Sequence, residues 1–121
     1  MIQVSAVLDG EGCLRSLSAQ GHSFKKRRLL GRFRQGQDFS PACAAVSALL
    51  RTAASLFEAE AELEVSVLLP AEGSMELNIG KIPPPLVGRC RGITDFLVCG
   101  LAQISEEAPK DLSLRVVHES I

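Results

Sequence analysis

The chain has no tryptophan and no tyrosine, and its aromatic side chains are five phenylalanines. Its core therefore has to be assembled from Leu, Val, Ile and Ala. Charge of one sign is missing too. Thirteen Lys and Arg stand against fourteen Asp and Glu, for a net charge of −1, which argues against direct nucleic-acid binding as the main role. No apolar run is long enough to cross a bilayer. The N-terminus, MIQVSAVLDG, lacks the basic residues that precede the apolar stretch of a secretory signal. A cytoplasmic protein without a membrane partner is the expectation. There is no CxxC pair, and the two histidines, His22 and His118, are far apart in sequence. Zinc ligands are normally more closely paired than this. No metal and no cofactor are expected.

What is present fits one domain over residues 1–121, long enough to bury a core without staples. Ile2, Val4, Ala6 and Leu8 alternate as in a half-buried strand. Asp9-Gly10-Glu11-Gly12 supplies a hairpin turn. A second strand over about 13–20 ends at Gly21-His22. From 23 to 39 the pattern dissolves into Lys25, Lys26, Arg27, Arg28, Arg32 and Arg34, which reads as a mobile basic loop. The Lys25-Lys26-Arg27-Arg28 run lacks the interleaved aromatics that bind single-stranded nucleic acid.

Ser40-Pro41 opens a helix: Ser is a favoured N-cap, and Pro fits the first turn. Cys43, Val46, Leu49, Leu50, Ala53 and Phe57 then recur at helical spacing, which predicts a helix to about Glu60. Glu58, Glu60, Glu62 and Glu64 read as a solvated face. A strand is expected over 63–69, a turn at Pro70-Ala71-Glu72-Gly73, and a returning strand through Met75, Leu77 and Ile79. Pro83-Pro84-Pro85 reads as the approach to a second helix carrying Cys90, Ile93, Thr94, Leu97, Leu101 and Ile104. Pro109 ends it, and Leu112, Leu114 and Val116 mark a last strand. The order ββαββαβ predicts an α+β two-layer domain, a mixed or antiparallel sheet of about five strands with two helices on one face.

Of the four cysteines, at 13, 43, 90 and 99, only Cys43 has the surroundings of a nucleophile: it lies in the first turn of its predicted helix, three residues after Ser40. The helix dipole and the amides there favour a thiolate. A histidine base is the usual companion, and His22 stands at a strand end behind a glycine. On the residues alone, a helix cysteine is more often a small buried hydrophobe. Cys13, Cys90 and Cys99 are read that way, and His118 as a surface residue.

Gly21-His22 followed by CAAVSALLRT at 43–52 resembles the ribosomal-processing cysteine protease (Prp) family of bacteria. The stretch GLAQISEEAPKDLSLRVV, 100–117, resembles that family's closing helix, proline and strand. The resemblance implies Cys43 as nucleophile and His22 as general base. It also implies a cytoplasmic homodimer that removes an N-terminal extension from a large-subunit ribosomal protein, with the loop opening for substrate. Three residues before the cysteine the family carries Asp or Asn, where this chain has Ser40. Asp38 and Ser40 are therefore the candidates for an orienting or supporting role, together with Ser47, one helical turn after Cys43. The backbone amides of Cys43 and Ala44 are the candidate oxyanion donors. The competing readings are a ribosome-associated binding module that keeps the fold without the activity, and a redox-sensing thiol.

Overall fold

The computed structural model describes residues 1–21, 41–71 and 73–119. His22, Asp38 and Ser40, and the basic stretch 23–39, lie outside the described residues.

Five strands and two helices follow the expected order: β1 (Ile2–Leu8), β2 (Leu14–Gln20), α1 (Pro41–Glu58), β3 (Val65–Leu68), β4 (Ser74–Ile79), α2 (Val87–Glu107) and β5 (Leu112–His118). They form one sheet in the order β3-β4-β2-β1-β5. The β1–β2, β2–β4 and β3–β4 pairs are antiparallel, whereas β5 runs parallel to β1. The sheet is therefore mixed.

Register decides which face is buried. Ile2 lies opposite Leu112, Val4 opposite Ala19 and Leu114, and Leu17 opposite Leu77. These side chains share one face, because successive strand residues alternate between faces. The opposite face presents Gln3, Ser5, Ser16, Ser18, Ser66 and Asn78, none of them fully buried. Leu14 is three residues from Leu17, so strict alternation would place it on the outer face. A register shift at Val7/Leu8 corrects this: Val7 pairs with Ser16 and Leu8 with Leu14, and Arg15 is the extra residue. The bulge turns Leu14 back into the core, where it is fully buried.

Both helices lay their apolar stripe on this face. Val46, Leu50, Ala53, Ala54 and Phe57 are the buried residues of α1; Cys90, Ile93, Thr94, Leu97 and Leu101 are those of α2. Phe57 is the largest fully buried side chain. The proline run does lead into a helix. Pro84–Leu86 form one 3-10 turn that passes directly into α2.

Three details depart from expectation. Cys99 is exposed rather than buried. It follows Cys90 by nine residues, and at about 100° per residue that is half a rotation away. Glu60 is not simply solvated, for it pairs with Arg89 at the start of α2. Leu63 is buried but belongs to the turn before β3, whose strand pairing starts at Val65.

Candidate functional site

The two helices run antiparallel. Glu60, just past α1, meets Arg89 in the first turn of α2. Farther along, Leu49 packs so closely on Gly100 that a β-carbon there would lie 2.9 Å from its Cδ1. Cys43 is six residues nearer the start of α1 than Leu49, about 9 Å along the axis. That places it level with the last turns of α2, and it packs, half-buried, against the edge of the core.

The sheet has its own ends in the same sense. At one end, the β1–β2 turn meets the start of α2. Arg91 donates from Nε to the Glu11 carbonyl at 2.7 Å, and the Cys13 thiol donates to the Val87 carbonyl at 3.4 Å. At the other end, α2 feeds into β5: Ser105 Oγ donates to the Leu112 carbonyl at 3.4 Å, and the Ile2 amide donates to the Asp111 carbonyl at 2.8 Å. Gln20 pairs with Gln3 and with Ser74, so β2 finishes at this second end. Gly21 follows. Its φ is +149°, and a β-carbon there would lie 2.8 Å from the Ile2 Cα, so glycine alone fits. The end of β2 and the start of α1 thus belong to the same end of the molecule.

Of the predicted site residues, the structure describes Cys43, Ala44 and Ser47, all half-buried within the first two turns of α1. The amides of Ala42 and Cys43 fall in the first turn of α1, ahead of its i→i−4 bonds, and point out of the helix start, with Ala44 next in sequence. Pro41 has no amide to offer. Gly21 is fixed in place one residue before His22.

The remaining thiols differ in kind. Burial pushes the Cys13 thiol up to about 11, with the nearby Asp9 carboxylate adding to the effect. Burial likewise raises Cys90, with Glu60 next in effect. Both are held as neutral thiols. Cys99 is exposed, with the Gln103 amide 3.7 Å from its sulfur. Among the described residues no cluster of His, Cys, Asp and Glu could hold a metal ion, and no helix is long and apolar enough to cross a membrane.

An apolar groove also runs between the helices, lined by Leu49, Leu56, Ile93, Phe96 and Leu97. It leads from Leu49 toward Arg89, away from Cys43. It holds none of the residues singled out for chemistry.

The sequence model of the family described as cysteine protease Prp matches residues 1–113. No curated protein matches the chain. Among solved structures, a Streptococcus mutans protein is 21% identical, with a TM-score of 0.73 over 98% of this chain and 96% of its own. The essential ribosomal processing protease Prp from S. aureus, in complex with a substrate peptide, is 16% identical, with a TM-score of 0.69 over 96% of this chain and 99% of its own. The same protease with a covalently linked product peptide gives a TM-score of 0.70 at 16% identity, over 96% of this chain and 99% of its own.

Proposed function

The chain belongs to the cysteine protease Prp family, and from that premise we propose that Cys43 is its nucleophile and His22 its general base. The observation that carries the assignment is the shared end. Cys43 opens α1 where β2 finishes, and His22 is the next residue after the fixed Gly21.

In this reading His22 takes the Cys43 proton, and the thiolate attacks the scissile carbonyl. The amides of Cys43 and Ala44 receive the oxyanion. His22 returns the proton to the departing amine, leaving a thioester that water hydrolyses to the free acid and the thiol. Asp38 and Ser40 are the candidates for an orienting or supporting role, and Ser47 supports the site from one turn beyond Cys43. The first turns of α1 suit a backbone that must approach closely, because Ala42, Ala44 and Ala45 project only methyl groups.

The substrate is the N-terminal extension of a large-subunit ribosomal protein. Ribosomal processing by the structurally similar S. aureus protease supports this. The reading includes a cytoplasmic homodimer, testable by sedimentation equilibrium. Incubation with an N-terminally extended large-subunit ribosomal protein, followed by intact mass measurement, tests the function. The wild-type chain yields the shortened protein. Cys43→Ala yields none, with its melting temperature nearly unchanged, and His22→Ala loses about 100-fold or more in rate. Undiminished cleavage by Cys43→Ala overturns the assignment.

A further inference from the structure

We propose that Gly73, fifty-two residues downstream of Gly21 and in a different hairpin, is a positioning residue for the catalytic base. The proposal rests on the assignment of His22 and Cys43 above.

Gly73 closes the turn between β3 and β4. The Ser74 amide donates to the Ala71 carbonyl at 3.0 Å, and the Ser74 hydroxyl holds the same residue through its amide at 3.1 Å and its carbonyl at 3.0 Å. The φ of Gly73 is +82°, the value of the third position of a type II turn. Turn chemistry alone would justify a glycine. The second contact does not follow from the turn. The Gly21 amide donates to the Gly73 carbonyl at 2.7 Å, and a β-carbon on Gly73 would lie 2.7 Å from the Gly21 carbonyl oxygen.

Gly21 is therefore held from two sides. Ile2 closes on its α-carbon from β1, and Gly73 closes on its amide and carbonyl from the β4 side. Both neighbours approach at distances no side chain allows. The carbonyl that Gly73 presses on belongs to the peptide bond joining Gly21 to His22. A group on Gly73 displaces the Gly21 carbonyl, and with it the link through which the chain passes from β2 to the proposed base. Displacement of a catalytic group by about 1 Å is enough to cost about 100-fold in rate.

Gly12 provides a matched control. It has nearly the same φ, +83°, in the β1–β2 turn at the opposite end of the molecule, and a β-carbon there meets only the flexible Arg91 side chain, at 3.6 Å. Gly12→Ala and Gly73→Ala carry the same kind of backbone strain at positive φ, and only the second reaches Gly21.

The experiment follows the rate of Cys43 alkylation by iodoacetamide at neutral pH in the full chain, beside kcat and KM for the extended substrate. A base that takes the Cys43 proton speeds both reactions, so His22→Ala slows the alkylation and lowers kcat. Gly73→Ala is expected to slow the alkylation in the same sense and to lower kcat about 10- to 100-fold, with KM within about twofold of wild type. Gly12→Ala is expected to keep the wild-type alkylation rate and kcat. Should Gly73→Ala fail to fold, Gly73→Asn retains a residue tolerant of positive φ while keeping the β-carbon against Gly21, and the same losses are expected. A wild-type alkylation rate and kcat in the folded Gly73 variant, or an equal loss in Gly12→Ala, overturns the proposal. An unchanged alkylation rate and kcat in His22→Ala overturns the base assignment and this proposal with it. A loss in His22→Ala alone overturns only the role of Gly73.

Discussion

Cys43 stands apart from the other cysteines by exposure and by position. Cys13 and Cys90 are fully buried, Cys99 is on the outer face of α2, and Cys43 is half-buried at the start of a helix. The native protein treated with iodoacetamide at neutral pH should modify Cys43 first and Cys99 more slowly. Cys13 and Cys90 should react only after denaturation. Peptide mass mapping reads the order, and early modification of Cys13 would contradict it. The buried thiols also set an alkaline limit. Because the Cys13 thiol is raised from 9.0 to about 11 on folding, its burial is fully favourable below about pH 9. Above that the unfolded chain ionises first, so stability falls as pH rises toward about 11. Urea midpoints between pH 8 and pH 11 should decline less steeply in Cys13→Ala than in wild type. The candidacy of Cys43 was legible because Ser-Pro and a helical stripe mark where α1 begins. The exposure of Cys99 was legible in principle, since the nine-residue spacing from Cys90 reverses the helix face.

At the scale of elements, one hydroxyl ties β2 to α2 by hydrogen bonds. Thr94 is fully buried; its Oγ1 accepts from the Leu14 amide at 3.0 Å and donates to the Cys90 carbonyl at 2.8 Å. The Leu14 amide stands at the bulge, beside the extra residue Arg15. Thr94→Val keeps the shape and leaves that amide unsatisfied, a cost of about 1–3 kcal/mol in urea unfolding. A loss within error of zero would show that another acceptor takes over. Helix phasing was legible element by element, because the stripe Val46, Leu50, Ala53, Phe57 repeats at helical spacing. The bulge at Arg15 was not, because an extra residue announces itself only through its partner strand. The Glu60–Arg89 pair was hidden for the same reason, as it joins residues that only the antiparallel packing of the helices brings together.

For the whole molecule, the order ββαββαβ and the single helical layer were readable from periodicity and turn residues. The parallel pairing of β5 with β1 was not, since alternation in each strand is the same whichever way it runs. That pairing places the end of α2 beside Ile2 and Gly21, and so brings the start of α1 to the end of β2. The site therefore depends on a non-local arrangement, although its residues were found from local signals. Phe57, the largest fully buried side chain between helices and sheet, should be the most costly truncation: Phe57→Ala is expected to lose about 3–5 kcal/mol by chemical denaturation. Because Phe57 is at the opposite end of α1 from Cys43, any folded fraction should keep the wild-type kcat. A kcat that falls in the folded fraction would show that core packing reaches the site.

The measurement closest to the central claim couples modification to activity. The protein is alkylated to graded extents, the occupancy of each cysteine is quantified by mass mapping, and residual cleavage of the extended ribosomal protein is measured on the same samples. Activity should fall in direct proportion to unmodified Cys43, with no dependence on Cys99. Cleavage that persists when Cys43 is fully carbamidomethylated would contradict the account.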